Sequence, residues 1–361
     1  MKKTIKKSAG RILAGITSRT LMSIAAGLLL LSYLSVFINP AKAWFMTAFG
    51  LLFIPLAILN LILLVWALKR RSRTFLIPLL SLLPTVFFFG KYFQFSSSAA
   101  EENADIRIVS YNVGRFRAAT GIDDTSACMD SIVNFLKQSN ADVICLQEFH
   151  IKNVSGLKSY LSRKFRGYNS EYYMNIGKGG ASGNVTLSRF PVRGKGKLVF
   201  EKSANMALYT DIVAKGETMR IYNCHLESYS ISLPRIVKSF RNKDREFFRK
   251  TEEKVRRSIA RRPKQVDMVL ENIAASPLPA LVCGDFNDNP MSYTYYRISK
   301  GRLDSFAEAG RGFGATYSFL WPMLRIDYII FPENFSAVSH FTPKVKFSDH
   351  YPVIAGLSFE K

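Results

Sequence analysis

Residues 280–287 read Ala-Leu-Val-Cys-Gly-Asp-Phe-Asn. The first four are apolar, too few for a helix, and stop at a glycine, which is the pattern of a short buried strand. The residues beyond the stop are polar, so the strand delivers Asp285 and Asn287 to one end of a sheet. The same pattern recurs along the chain. Ile106–Tyr111 leads to Asn112, and Val143–Leu146 leads to Gln147-Glu148. Ile221–Cys224 leads to His225, Ile326 precedes Asp327, and Ser348-Asp349-His350-Tyr351-Pro352-Val353 closes the series. One polar residue at a strand end is an ordinary turn residue. Six such ends carrying two histidines, an amide pair and four carboxylates point to a site.

Other apolar runs lie at Val185–Leu187 and Leu208–Val213. Between the strands, Cys128–Gln138 and Val266–Ile273 have apolar residues at helical spacing. Strands outnumber helices and their spacing is too irregular for a βαβ repeat. An α+β domain with two sheets and outer helices is expected.

The polar set suits hydrolysis of a phosphate ester. A hard divalent cation takes oxygen ligands, which Glu148, Asp349 and the Asn112 amide supply. A water nucleophile needs a basic neighbour, a part open to Asp285 or His350. His225, Asn287 and His350 are donors for phosphoryl and leaving oxygens. Asp327 suits the task of holding an imidazole in one tautomer.

In this order, Ser110-Tyr111-Asn112, Leu146-Gln147-Glu148, Asn223-Cys224-His225-Leu226, Gly284-Asp285-Phe286-Asn287, Arg325-Ile326-Asp327-Tyr328-Ile329 and Ser348–Val353 resemble the endonuclease/exonuclease/phosphatase superfamily. Gly183–Pro191 also resembles a strand of that family, with Asn184 and Thr186 where apolar or small residues are usual. The resemblance covers about residues 105–358. It implies a deoxyribonuclease-I-like four-layer α/β-sandwich and metal-dependent cleavage of a phosphodiester or phosphomonoester. It further implies Mg2+, with Mn2+ as a substitute, held chiefly by Glu148 with Asn112 and Asp349. His225, Asp285, Asn287, Asp327 and His350 are then the catalytic set. The number of metals and the identity of the base stay open.

The 361 residues carry a formal charge of +23, unevenly placed. The first 100 residues hold 12 Lys/Arg and no Asp or Glu, yet are mostly apolar. That excludes a uniform soluble globule, and 28 Phe with 16 Tyr exclude a disordered chain. Three uncharged or nearly uncharged stretches, 20–38, 44–68 and 74–93, predict three transmembrane helices in an anchor over 1–93. A linker at 94–104 and a catalytic domain at 105–361 complete the chain. Basic residues precede the first span and crowd Lys69–Arg73, which places the N-terminus in the cytoplasm and the domain on the outer, periplasmic side of an inner or plasma membrane.

Residues 234–264 hold 13 Lys/Arg against four acidic residues. This segment reads either as a solvated helix face or as a surface for polyanion or anionic lipid. Cys128, Cys145, Cys224 and Cys283 fit neither a zinc pattern nor a disulfide scaffold, and three lie in strand-like runs, so they read as buried free thiols. Together these features lead to a membrane-anchored phosphoesterase acting on nucleic acid. The alternatives are a phospholipid or sphingomyelin phosphodiesterase, an inositol-phosphate phosphatase, and a non-catalytic polyanion-binding module. No obligate protein partner is implied.

Overall fold

The structure, a computed structural model, describes residues 2–95, 104–117, 125–229, 238–239, 241–242, 244–319 and 321–360, with side chains from residue 15 onward. The predicted linker lies largely outside the described residues. The chain forms two compact units. One runs up to Gly90 and includes Met291–Tyr293; the other comprises Lys91–Pro290 and Thr294–Lys361.

The first unit contains helices α1 (Lys2–Leu34), α2 (Met46–Leu51), α3 (Phe53–Lys69), α4 (Leu76–Leu82) and α5 (Val86–Phe89). The three predicted membrane helices are not all formed. Among the described residues one helix, Gly15–Leu34 within α1, is long and apolar enough to cross a membrane. The second stretch is broken at Leu52. Pro55 causes the break: it has no N–H, and its ring would collide with the carbonyl of Leu51, four residues back. The third stretch carries Pro78 within α4 and Pro84 within a 3-10 turn, and runs as short pieces. Met22 and Ala25 of α1 pack against Leu63 and Ala67 of α3. Buried Asn60 ties the helices together, donating to the Ala25 carbonyl at 3.0 Å and accepting from Ser81 Oγ at 3.2 Å. Outward, Ile24, Ile62, Leu80, Val86 and Phe87 are exposed.

The second unit is built from two six-stranded sheets. Its strands are β1 (Phe93–Gln94), β2 (Ile106–Asn112), β3 (Val143–Ile151), β4 (Asn169–Gly177), β5 (Gly180–Ser188), β6 (Val192–Val199), β7 (Met206–Ala214), β8 (Glu217–His225), β9 (Ala280–Asp285), β10 (Leu303–Asp304), β11 (Gly312–Phe313), β12 (Asp327–Phe331), β13 (Phe335–Phe341) and β14 (Val353–Phe359). One sheet has the order β13-β14-β2-β3-β5-β4, the other β10-β12-β9-β8-β7-β6, and β1 pairs with β11 in a small ribbon. Each large sheet has one parallel pair, β2 with β3 and β8 with β9. A parallel pair needs a crossover. Helix α6 (Thr125–Gln138) supplies the first and the long helix Arg245–Ala274 the second.

Strand periodicity sets the layers. In β2, Ile106 and Ile108 face the other sheet, where Ile221, Leu281, Cys283 and Ile329 meet them. Val109 and Tyr111 face outward onto Ile132 and Leu136 of α6. Val282 and Ile330 likewise face Val266 and Val269 of the long helix. Helix, sheet, sheet and helix thus make four layers, and strands buried on both faces read as unbroken apolar runs. All four cysteines are free and buried.

A buried cluster closes one end of the second sheet. Arg325 clamps Asp304 with two bonds of 3.0 and 2.7 Å, among the rings of Tyr295, Phe306 and Tyr328. His340 is buried beside it, bonded to Ser305 Oγ at 3.0 Å and Thr342 Oγ1 at 3.2 Å. Burial pushes its imidazole down to about 3; Asp304 opposes this, while Arg325 and Lys344 add to it. The unfolded chain therefore takes up a proton near pH 6.5 that the folded chain refuses. This contribution to stability is complete above pH 6.5 and is lost as pH falls toward 3. In denaturant titrations, wild type should lose stability relative to His340→Gln by about 1.4 kcal/mol per pH unit between about pH 6 and 4. Parallel curves would show that His340 does not titrate in this way.

Candidate active site

The predicted residues converge because of strand register. His225 ends β8 opposite Asp285 of β9, and Asp285 lies opposite Asp327 of β12, so three adjacent strands present one row of polar side chains. In the other sheet Asn112 lies opposite Gln147. Gly284 permits the close pairing of β8 and β9. Its φ is +140°, and a Cβ there would lie 1.9 Å from the Cys224 carbonyl oxygen.

Glu148 reaches the site through a bulge. Between Leu146 and Phe149, β3 has one residue more than β5 opposite it, and Glu148 takes φ +52°. The extra residue turns the chain, so Gln147 is buried while Glu148 stays partly exposed. Left-handed backbone at a non-glycine residue is strained and is held by its surroundings.

Asp285 stands at the centre, 1% exposed. Its Oδ2 accepts from Asn112 Nδ2 at 2.9 Å and Asn287 Nδ2 at 3.1 Å, and its Oδ1 accepts from the Asn287 backbone N–H at 2.8 Å. His350 Nδ1 bonds Asp327 at 3.0 Å, leaving Nε2 3.8 Å from Asp285 Oδ2. His225 Nε2 is also 3.8 Å from that oxygen and 3.7 Å from Glu148 Oε1. Burial disfavours a charged His350, but the Asp327 and Asp285 carboxylates outweigh it and raise the imidazole to about 10. Burial pushes Asp285 up to about 6, against the pull of His350.

All eight predicted side chains therefore meet at one end of the two sheets. Asp285, Asp327 and His350 offer ligand atoms within 4.8 Å of one another. Asp349 adjoins through Ser348 Oγ, which bonds its Oδ1 at 3.2 Å and the Asn112 carbonyl at 2.9 Å. Several contributors carry no motif in the sequence. Tyr317 packs edge-on to His350 at 5.0 Å, and its hydroxyl is pushed up to about 12 by burial and by Asp349, Asp285 and Glu148. Thr316 Oγ1 accepts from the Ile326 and Asp327 N–H groups at 2.9 and 3.0 Å, fixing the aspartate. Gln147, Asn184 and Asn223 bridge the two sheets beneath the site, with Gln147 donating to Asn223 Oδ1 at 2.8 Å and Asn184 to the Asn223 carbonyl at 2.9 Å. Asn184 and Thr186, out of place in the sequence pattern, belong to this polar seam.

The donor chemistry fits a divalent cation and a phosphate together. His225 Nε2 is buried without a hydrogen-bond partner in the protein, so it is aimed at something else. Beside the site a cleft of about 750 Å³ is lined by Arg115, Arg117, Lys178 and His150 as well as Glu148 and His225.

The profile of the endonuclease/exonuclease/phosphatase family matches residues 109–350. The chain belongs to this family. Its members are typically metal-dependent phosphoester hydrolases. Residues 15–92 match a domain family of unknown function. No curated protein matches the chain. Similar solved structures include a family protein from Bacteroides vulgatus (18% identity, TM-score 0.54, covering 71% of this chain and 99% of that one). A second is the family protein from Beutenbergia cavernae (17%, 0.53, 71% and 72%). A third is the human nocturnin catalytic domain with bound sulfate (17%, 0.51, 70% and 94%). At these identities the likeness is one of fold, the deoxyribonuclease-I-like sandwich.

One cation of the basic segment is structural. Arg262 is buried, bonding Asp288 at 2.5 Å, the Glu227 carbonyl at 2.9 Å and Tyr229 at 3.1 Å. It thereby anchors the loops that leave His225 and Asn287. Arg249 and Lys250 pair with Glu253 and Glu246, while Arg256 and Arg257 are exposed. Arg235 and Lys243 lie outside the described residues. Arg262→Ala should strip about 3–5 kcal/mol from stability by leaving Asp288 buried and unpaired. Arg256→Ala and Arg257→Ala should stay within about 0.5 kcal/mol of wild type in the same urea titration.

Proposed function

We propose that the chain is a membrane-anchored, Mg2+-dependent phosphodiesterase that hydrolyses nucleic acid. The observation that carries the reading is the convergence of Glu148 Oε1, Asp285 Oδ2 and two imidazole Nε2 atoms at 3.7–3.8 Å spacings. That is too far for hydrogen bonds among themselves and close enough for neighbouring groups to contact one ligand oxygen together. Glu148, with Asn112 and Asp349, would hold the cation. When bound, Mg2+ supplies Lewis-acid stabilisation of phosphoryl oxygen charge. His225 and His350 donate to phosphoryl oxygens from Nε2. Asp327 holds the His350 ring by Nδ1, so that its donor points at the substrate. Asp285, fixed by Asn112 and Asn287, is the carboxylate placed to accept a proton from the attacking water.

Anchoring rests on the apolar Gly15–Leu34 helix and on the exposed apolar side chains around it. The basic residues before that helix favour a cytoplasmic N-terminus and an outward-facing catalytic unit. A reporter fused after Lys361 should be active only outside the cytoplasm; activity inside would reverse the orientation.

The full chain in detergent should cleave DNA or RNA in Mg2+ and lose that activity in EDTA. Glu148→Gln and His350→Gln should each lower kcat at least about a hundredfold. Cleavage of sphingomyelin or inositol phosphates with no action on nucleic acid would move the substrate to that class. Substituted and native protein behaving alike on all four would overturn the assignment of the site.

A further inference from the structure

After Asn112 the chain makes an uncommon turn. Gly114, Arg115 and Phe116 are all left-handed, with φ of +52°, +57° and +59°. Two consecutive non-glycine residues in this region are strained. The strain is held from both ends. Asn112 Oδ1 accepts the Gly114 N–H at 3.0 Å, the Arg117 N–H returns to the Gly114 carbonyl at 3.0 Å, and Phe116 is buried edge-on against Phe149 at 5.0 Å. The consequence is that Arg115 and Arg117 stand exposed on either side of a fixed, buried ring.

Both arginines enter the cleft that Glu148 and His225 also line. The opposite wall is the β4–β5 hairpin, whose Gly177 and Gly180 pair around a Lys178-Gly179 turn. Lys178 is a third exposed cation, and Ile176 beside it is 82% exposed. Among the described residues lining the cleft, Glu148 is the one carboxylate. His150 lies between the walls with Nδ1 bonded to Ser182 Oγ at 3.0 Å. Among the described residues none of these cations pairs with a carboxylate, and none belongs to the set that meets at Asp285.

We propose that Arg115, Arg117 and Lys178 form a second phosphate subsite, which grips a phosphate flanking the one that is cleaved. This deepens the nuclease reading and rests on it for the identity of the ligand. A nucleic-acid strand supplies such a neighbour at every nucleotide, and Ile176 offers an apolar face to the base or sugar between the two phosphates. The subsite favours a strand over a single isolated diester.

The test uses the full chain in detergent and needs no turnover. A labelled thymidine trinucleotide, with two phosphodiesters, and the dinucleotide, with one, are titrated in EDTA and read by anisotropy. Wild type should bind the trinucleotide at least about tenfold more tightly, the range of one charge-assisted contact. Arg115→Ala and Lys178→Ala should each erase most of that preference, and Arg115→Lys should restore part of it. A preference that is absent in wild type, or unchanged in both alanine variants, overturns the subsite. Because the readout is a ratio between two ligands on one protein, partial misfolding does not imitate the result. The ratio kcat/KM measured on the same pair in Mg2+ tests the nuclease reading separately. Binding preference without cleavage leaves the subsite standing and overturns the nuclease, while cleavage without preference does the reverse.

Discussion

The buried carboxylate of Asp285 is the constraint around which the second unit is organised. It sits at the end of a central strand, where burial opposes its charge. It is tolerated because Asn112 from the other sheet and Asn287 from its own loop donate hydrogen bonds to it, while the imidazoles of His225 and His350 stand 3.8 Å away. One acid therefore ties one end of both sheets to a single point. The hydrophobic layer between the sheets gives way there to a polar seam of Gln147, Asn184 and Asn223. This seam keeps the sheets in register where no apolar packing can.

Two buried ion pairs brace this arrangement from behind. Arg262 with Asp288 fixes the loop immediately after Asn287, and Arg325 with Asp304 fixes the approach to Asp327. Both arginines make further bonds to backbone carbonyls, Arg262 to Glu227 and Arg325 to Lys91. Such pairs add little net stability but are costly to break, which makes them devices for position. The basic character of residues 234–264 thus mixes two origins: among the described residues one cation, Arg262, locked inside the fold and a larger number left in solvent.

The strand ends were legible in the sequence because a buried strand must be apolar and must stop, so the polar residues at its stop stand out. Asn112, Glu148, His225, Asp285, Asp327 and His350 all announced themselves that way, and the structure brings them to one end of the two sheets. The contributors that stayed hidden depend on long-range packing. Thr316 and Tyr317 lie in an irregular loop and acquire meaning only when the chain near His350 folds back onto them. Asn169–Gly177 and Val192–Val199 are edge strands with partly exposed, polar or glycine-containing patterns, so alternation did not mark them. In the first unit composition suggested three spans, whereas the position of Pro55 within a uniformly apolar run decided where a helix must break.

The four buried thiols have a chemical consequence of their own. A thiol attacks a disulfide or an oxidant as its thiolate. Burial raises Cys128 and Cys224, a hydrogen bond with Cys145 and then burial raise Cys283, and Cys145 lies with Cys283 in the layer between the sheets. Once the sheets close, these sulfurs are withheld from redox chemistry by the same packing that stabilises the domain. Their vulnerable interval is the time before closure, so in an oxidising compartment the rate at which the sandwich assembles, more than its final stability, governs whether the chain escapes mispaired disulfides.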